Sequence, residues 1–187
     1  MAPPKGARVR LIAGHWRGRL LAFPPEPGLR PTPDRVRETL FNWLGPRLAG
    51  ARCLDLFAGS GALGFEALSR GAASTTLVDT NPVVVTALRE NRERLGCEAN
   101  VVTSGALEFL AAQEAAAFDV IFLDPPFAAG LLVDALTIIR ARRILARTGL
   151  VYIESAAADG FELPPDLQWH RRSRAGNVAF GLAAPAS

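Results

Sequence analysis

The chain has 187 residues, 49% of them hydrophobic and 21% charged, which fits one globular domain with at most a short appendage. No uncharged apolar run is long enough to span a bilayer, and residues 1–6 lack the apolar core of a signal peptide. Cys53 and Cys97 form neither a disulfide framework nor a metal-type pair, so we expect a reduced, cytoplasmic protein without a metal.

The net charge of +3 is unevenly distributed along the chain. Residues 1–37 hold eight basic and two acidic residues, a net charge of +6, so the other 150 residues carry about −3. A basic segment attached to a slightly acidic body predicts a polyanionic partner, with nucleic acid the first candidate. The alternative is a basic surface that is merely solvated.

The amino-terminal part predicts a small β-hairpin over residues 8–23, followed by a proline-rich linker over 24–31. Thr32 is the predicted N-cap of a helix whose first position is a proline. We therefore divide the chain into a basic hairpin and linker, residues 1–31, and a main domain, residues 32–187.

Strand and helix patterns alternate from residue 51 onward, which predicts a parallel sheet with helices on both faces. Strands are expected at 51–56, 74–79, 99–103, 118–123 and 150–154, and helices at 61–70, 81–95, 106–116 and 130–146. The tail changes character, and residues 167–174 and 178–182 predict an antiparallel hairpin that finishes the sheet.

The stretch Asp124-Pro125-Pro126-Phe127 follows an apolar run and is expected where a buried strand ends. Its prolines remove two N–H donors and fix two φ angles, which leaves backbone carbonyls free as acceptors in a cleft. A carboxylate and carbonyls beside an aromatic ring suit a planar group that carries an N–H₂, such as the amino edge of a nucleobase. The alternative is a proline-rich turn with an incidental phenylalanine.

A glycine-rich segment links the first strand of the alternating region to its first helix, at the edge where doubly wound folds bind ligands. Residues 59–64, Gly-Ser-Gly-Ala-Leu-Gly, match the dinucleotide fingerprint, and Asp79 ends the next strand where a ribose-binding acid belongs. A nicotinamide-dependent oxidoreductase is one interpretation. A glycine turn needed only for close packing of strand and helix is another.

Asp55 favours a different ligand, because it ends the strand just before the glycines. A carboxylate there repels a pyrophosphate but suits a cationic or zwitterionic ligand. S-adenosylmethionine has a sulfonium, an amino group and no phosphate. Asp55, the glycines, Asp79 and the Asp-Pro-Pro-Phe stretch together favour a methyltransferase over a dehydrogenase.

Four segments resemble the bacterial 16S ribosomal RNA guanine-N2 methyltransferases of the RsmD type: residues 12–19, 28–42, 55–64 and 124–127. The glycine and Asp-Pro-Pro-Phe motifs are shared by many amino-methyltransferases, and residues 28–42 narrow the resemblance to this family. The resemblance covers residues 10–154.

The resemblance implies an α/β, Rossmann-like class I S-adenosylmethionine-dependent methyltransferase. Its sheet would have seven strands, mostly parallel, with a terminal antiparallel hairpin and a small N-terminal β-hairpin extension. The cofactor would be S-adenosylmethionine, converted to S-adenosylhomocysteine, without a metal. The predicted cofactor-binding residues are Asp55, Phe57, Gly59, Ser60, Gly61, Asp79, Thr80, Asn81, Gly105, Ala106 and Asp124.

Gly105 is a departure from the family pattern, which commonly has Asp or Asn there to bond the adenine amino group. Adenine recognition is therefore expected to rest on the Ala106 backbone or on a neighbour such as Ser104.

The predicted catalytic residues are Asp124, Pro125, Pro126 and Phe127. The Asp124 carboxylate and the Pro125 carbonyl would accept the two N–H bonds of the target amine and aim its lone pair at the methyl carbon. Phe127 would stack on the base. An Asp of ordinary pKa is a weak base, so Asp124 is not expected to be an obligatory one.

The predicted RNA-binding residues belong to the basic segment, where charge and an aromatic ring interleave as in single-strand binders. They are Arg10, His15, Trp16, Arg17, Arg19, Arg30, Thr32, Arg35 and Arg37. The alternatives are that Trp16 belongs to the hairpin core and that Arg35 and Arg37 lie on a solvated helix face.

The function predicted from the resemblance is methylation of a guanine N2 in 16S ribosomal RNA. The partner is that RNA or a small-subunit assembly particle, with no membrane, and the protein is expected to be a monomer. The alternatives are an N6-adenine methyltransferase of DNA or RNA, a nicotinamide-dependent oxidoreductase, and a non-catalytic RNA-binding assembly factor.

Overall fold

The computed structural model describes residues 7–26, 29, 31–126, 130–157 and 161–186. Within them, β1 (Ala7–Arg10) and β2 (Leu20–Phe23) form a separate antiparallel hairpin. The main sheet comprises β3 (Arg52–Asp55), β4 (Ser74–Asp79), β5 (Asn100–Thr103), β6 (Phe118–Leu123), β7 (Leu145–Ala156), β8 (Leu167–Ala175) and β9 (Val178–Pro185). The helices are α1 (Asp34–Leu44), α2 (Ala62–Ser69), α3 (Pro82–Leu95), α4 (Ala106–Ala111) and α5 (Leu131–Ala141), with a 3₁₀ turn at Gly45–Leu48.

The seven strands of the main sheet lie in the order β5-β4-β3-β6-β7-β9-β8. All neighbours are parallel except at β9, which is antiparallel to both β7 and β8. The predicted sheet, its terminal hairpin and the N-terminal hairpin are thus confirmed. The strand order reverses between β3 and β6, and in such sheets the crevice beyond the carboxyl ends of the two strands is the usual ligand site.

Alternating residues of the central strands face two different layers of helices. Phe122 and Tyr152 pack with α1 and α2, whereas Ile121 and Val151 pack with α4 and α5. Strands buried on both faces need near-continuous apolar runs, which explains the buried runs at residues 120–123 of β6 and 150–153 of β7.

The N-terminal hairpin packs onto α2 and α3 and shares a hydrophobic cluster with them. Its apolar face, which includes Val9, Leu21 and Phe23, is buried in that cluster. The amide of Asn91 on α3 exchanges two hydrogen bonds with the backbone of Ala22. The hairpin is joined to the main domain by this shared core. The division of the chain at residue 31 remains a prediction.

Two predicted helices end earlier than expected. The helix predicted over 130–146 ends at Ala141, because Arg143 adopts a positive φ of 54° and Leu145 already belongs to β7. The helix predicted over 106–116 ends at Ala111, and Ala116 has a φ of 53°.

The predicted Thr32 cap is wrong, whereas the caps of α3 are confirmed. Pro33 occupies the N-cap position of α1, which has no side-chain capping bond. The Asn81 side chain accepts a hydrogen bond from the Val83 N–H, and Gly96 ends α3 in the left-handed conformation.

The described residues contain no helix that is both long enough and apolar enough to cross a membrane.

Candidate active site

Four neighbouring strands of the sheet each carry an acidic residue near the carboxyl end. Asp79 ends β4, Asp55 ends β3, Asp124 follows β6, and Glu154 lies two residues before the end of β7. Since β4, β3, β6 and β7 are adjacent and parallel, the four side chains meet at one edge. An acidic edge of this kind favours a ligand with positive charge.

The glycine loop between β3 and α2 uses its two key glycines for different reasons. Gly59 and Gly61 have φ of 50° and 76°, a region that disfavours side chains. A Cβ on Gly61 would lie 2.7 Å from Phe65 and Leu88 in the core, and one on Gly59 would lie 2.8 Å from Leu29. Close packing in the core therefore requires a glycine at position 61. A glycine at position 59 leaves room for Leu29 of the linker.

Asp79 holds the glycine loop against the end of β4. Its two carboxylate oxygens accept the Gly59 N–H at 3.0 Å and the Asn81 N–H at 2.9 Å. Each oxygen keeps a second lone pair, so the half-buried carboxylate can still accept hydroxyl donors such as those of a ribose.

Asp55 lies beneath the loop and is only 2% exposed. It accepts the N–H of Gly64 in the first turn of α2 at 2.9 Å. Burial raises its pKa to about 7; the Gly64 bond opposes this shift, and the charges of Asp124 and Asp79 add to it. Direct contact between Asp55 and a cofactor remains a prediction.

Asp124 is half-buried and bonded to the segment before α1. The Thr32 hydroxyl donates to its Oδ2 at 3.1 Å. Burial raises the pKa of Asp124 to about 6, and the Thr32 bond opposes the shift. Pro125 and Pro126 follow toward the solvent, and within the described part of the chain no donor bonds to the Pro125 carbonyl. Phe127 lies outside the described residues.

The remaining predicted cofactor residues at this edge differ in their exposure and in their hydrogen bonds. Ser60 is buried and its Oγ accepts the Ala62 N–H, so this hydroxyl supports the start of α2. Phe57 is half-buried against the core, and Thr80 is exposed. The side-chain oxygen of Asn81 already accepts the Val83 N–H in the capping bond of α3.

Gly105 occupies the N-cap position of α4, directly before Ala106, with φ −66° and no side-chain capping bond. A Cβ added there would meet nothing closer than 3.8 Å. The position therefore has room for the Asp or Asn side chain that the resemblance led us to expect there, and its backbone angles are ordinary for such residues.

The basic hairpin presents most of its predicted RNA contacts to solvent. Arg10, His15, Arg17 and Arg19 are exposed, as is Arg35 on α1. Trp16 is half-buried, packs against the hairpin cluster and makes an edge contact with His15 at 5.4 Å between ring centroids. Arg30 lies outside the described residues.

Arg37 was predicted to contact RNA, and that prediction is wrong, because its side chain is fully buried. Its guanidinium donates to the carbonyls of Thr32 and Arg10 and to the Asp34 carboxylate. Its Nη1 lies 3.7 Å from Glu66 Oε2 and has no hydrogen-bond partner among the described residues. Arg37 thus ties the hairpin and the Thr32 segment to α1. Thr32 is itself only 7% exposed, and its hydroxyl bonds Asp124 instead of facing solvent, where RNA would lie.

Two buried acids were missed by sequence reasoning. Glu66 on α2 accepts the N–H groups of Ile12 and Ala13, which anchors the hairpin. Glu154 accepts the Tyr152 hydroxyl at 2.8 Å. The available signal was a single charge in an otherwise apolar helix for Glu66, and an acid ending an apolar run for Glu154.

The sheet order, the single antiparallel strand and the glycine loop beside strand-end acids define a class I S-adenosylmethionine-dependent methyltransferase fold. Comparison with solved structures agrees. A putative methyltransferase of Escherichia coli superposes with a TM-score of 0.88 at 44% identity, covering 96% of this chain and 98% of that one. A putative methylase of Haemophilus influenzae gives a TM-score of 0.84 at 38% identity, with 97% and 100% coverage.

The family follows from the sequence comparisons. Residues 9–183 match the family model described as Conserved hypothetical protein 95. The ribosomal RNA small subunit methyltransferase D of Escherichia coli strain K12 is 48% identical over 177 residues, which covers 94% of this chain and 89% of that protein. Its Haemophilus influenzae counterpart is 41% identical, with 96% and 95% coverage. This chain belongs to the same RsmD-type family.

Proposed function

We propose that this chain methylates the exocyclic N2 amine of a guanine in 16S ribosomal RNA, with S-adenosylmethionine as methyl donor. The observation that carries the proposal is the Asp124 carboxylate, held by Thr32 at the topological switch point beside the glycine loop. The identity with ribosomal RNA small subunit methyltransferases D supports the RNA substrate.

The residues at the sheet edge suit S-adenosylmethionine, whose sulfonium supplies the methyl group when the donor is bound. Asp79 offers free lone pairs to ribose hydroxyls while it fixes the loop. The Asp55 carboxyl, whose pKa is about 7, contributes negative potential from beneath the loop in its ionised form, which favours a cation and disfavours a pyrophosphate. The same potential argues against the nicotinamide-dependent alternative.

Asp124 and the Pro125 carbonyl are the proposed acceptors for the two N–H bonds of the target amine. Its nitrogen is a weak nucleophile because the lone pair is delocalised into the base. Two fixed acceptors orient that lone pair, and most of the rate gain then comes from positioning and electrostatics. With a pKa raised to about 6, Asp124 is also a better proton acceptor than an ordinary Asp.

The exposed arginines of the N-terminal hairpin form the proposed RNA-binding surface. Arg10, Arg17 and Arg19 would contact phosphates, and the His15–Trp16 pair would offer an aromatic surface to an unpaired base. The hairpin is anchored to α2 through Glu66, so its position relative to the site is fixed.

The test is transfer of a labelled methyl group to ribosomal RNA from a strain that lacks the enzyme, followed by identification of the modified nucleoside. N2-methylguanosine in 16S RNA is the expected product. N6-methyladenosine would establish the adenine alternative, and absence of transfer with intact S-adenosylmethionine binding would favour the non-catalytic assembly factor.

Two Asp124 variants examine the acceptor role in the same assay. Asp124→Asn keeps one acceptor oxygen and should retain more activity than Asp124→Ala, which keeps none. Near-full activity of the alanine variant would remove Asp124 from the proposed mechanism.

A further inference from the structure

Asp124 and Glu154 are neighbours across two parallel strands. The register pairs Phe122 with Tyr152 and Leu123 with Ile153, so the next positions along β6 and β7 are Asp124 and Glu154. Side chains alternate along strands, which puts both acids on the same face as Phe122 and Tyr152. That is the face covered by α1, whose preceding residue Thr32 contacts Asp124.

Glu154 is buried, at 6% exposure, although nothing in the methyl-transfer chemistry described above uses it. The Tyr152 hydroxyl, itself buried, donates to its Oε2 at 2.8 Å. A buried carboxyl that serves only packing is expensive, since an apolar residue of similar size avoids its desolvation.

We propose that Glu154 is a positioning residue of the methyl-transfer site, which sets the proton affinity of Asp124 through their shared buried surface. This inference rests on the proposed function. In the reaction, the amine nitrogen would form a bond to the methyl carbon while the bond between that carbon and sulfur breaks. The positive charge would pass from the sulfur to the nitrogen. One N–H proton then leaves the nitrogen for a carboxylate oxygen of Asp124.

The charges around the pair determine how it ionises. Burial raises the pKa of Glu154 to about 7; the charge of Asp124 adds to the shift, and the Tyr152 bond opposes it. Because repulsion between two groups is mutual, ionised Glu154 raises the proton affinity of Asp124 in return. The pKa values of both acids are therefore raised, and Asp124 becomes a stronger base once Glu154 is ionised.

Further charged groups lie on the elements packed around the pair. Asp55 of β3 lies on the far side of Asp124 and adds negative charge. On α1, Arg37 is paired with Asp34, while Arg35 and Glu38 are exposed. The facing strand β9 opposes Glu154 with Phe180 and has no charged residue.

The kinetic test compares the pH dependence of kcat between pH 5.5 and 8.5 for the wild type and Glu154→Gln. The wild type should rise in two steps, and the upper step should be smaller in the variant, where only Asp55 still ionises near pH 7. The variant is expected to be within about twofold of the wild type at pH 6 and up to about tenfold slower at pH 8.5, since one unit of proton affinity corresponds to at most a tenfold rate change. Glu114→Gln, an exposed acid away from the site, is the matched control.

A ratio of variant to wild-type rate that stays constant across this pH range would overturn the inference, since a merely structural role lowers activity at all pH values alike. Tyr152→Phe is a second variant, in case Glu154→Gln does not fold. Loss of the hydroxyl that favours ionised Glu154 should move the upper step to higher pH.

A readout without substrate separates this inference from the proposed function. Carboxyl-carbon NMR titration of the ligand-free protein should show two coupled steps at Asp124 in the wild type, and the upper step should be smaller in Glu154→Gln, where only Asp55 still ionises near pH 7. An Asp124 titration that is identical in both proteins would overturn the inference. Coupled steps in a wild type that transfers no methyl group would instead refute only the proposed function.

Discussion

The Thr32 hydroxyl donates to the Asp124 carboxylate over 3.1 Å, joining the segment that precedes α1 to the end of β6. Arg37 fixes the other side of Thr32, because its Nε donates to the Thr32 carbonyl at 3.1 Å. The buried arginine and the candidate catalytic acid are thus linked through one residue. Mutations of the α1 segment should consequently act at the methyl-transfer site.

Thr32→Val tests that link with little change of volume. Loss of the hydroxyl raises the pKa of Asp124 above about 6, so less of the carboxylate is ionised in mildly acidic solution. We expect kcat to fall about threefold to tenfold at pH 6 and less at pH 8, in line with one lost hydrogen bond to a charged group. Thr39→Val is the control, because the Thr39 hydroxyl donates to the Arg35 carbonyl of its own helix. An equal loss at both pH values would contradict the link.

Asp55→Asn should stabilise the ligand-free protein in a pH-dependent way. A carboxyl whose folded pKa is raised from 3.8 to about 7 contributes stability below pH 4 that is lost as the pH rises to 7. The variant avoids that loss, so its advantage in unfolding free energy should grow from pH 4 to pH 7 by on the order of 2–4 kcal/mol and then level off.

The control for Asp55 is Asp119→Asn. The Arg52 hydrogen bond lowers the pKa of Asp119, so this substitution should be unfavourable above pH 4. Denaturant titrations at several pH values measure both variants. A pH-independent effect of Asp55→Asn would show that folding does not raise the pKa of Asp55.

Arg37→Met should destabilise the fold strongly. The substitution leaves buried Glu66 with Arg70 as its remaining basic partner and removes the bonds to two backbone carbonyls. Removing one partner of a buried pair costs about 3–5 kcal/mol, which denaturant unfolding would detect. The exposed Arg35→Met is the matched control on the same helix and should change stability by less than about 0.5 kcal/mol.

Arg10→Ala and Arg17→Ala should weaken RNA binding in a salt-dependent way without affecting S-adenosylmethionine binding. Each lost phosphate contact should reduce the slope of log affinity against log salt by about 0.7 for single-stranded RNA. Point substitutions are preferable to deletion of the hairpin, because Val9 and Leu11 belong to the buried core. Arg147→Ala is the control, since Arg147 lies near the amino end of β7, away from the site. Slopes unchanged by the hairpin variants would place the RNA elsewhere.

Gly105→Asn should increase affinity for S-adenosylmethionine. The position has room for a side chain, and an amide there can bond the adenine while capping α4. One added hydrogen bond corresponds to about twofold to tenfold tighter binding, measurable by calorimetry. Gly105→Ala adds a Cβ without the amide and should leave the affinity unchanged. Equal affinities for the asparagine and alanine variants would mean that the adenine lies out of reach of residue 105.

Local chemistry explains which features could be predicted from sequence. Asn81 and Gly96 bound α3 as expected, because caps depend on a few adjacent residues. The strand-end positions of Asp55, Asp79 and Asp124 followed from where apolar runs stop. The end of α5 was missed, because Arg143 enters the left-handed region without a glycine or asparagine to signal it.

By itself, the sequence determined the alternation of strands and helices, the glycine loop, the strand-end positions of Asp55, Asp79 and Asp124, and the basic amino-terminal segment. Those features depend on residue type and spacing along the chain. Only the tertiary structure decided that Arg37 is buried, that Thr32 reaches Asp124 across 92 positions, and that Glu154 lies beside Asp124. These relationships depend on which strands become neighbours and which helix covers them, and such packing brings together residues whose separation in sequence carries no local signal.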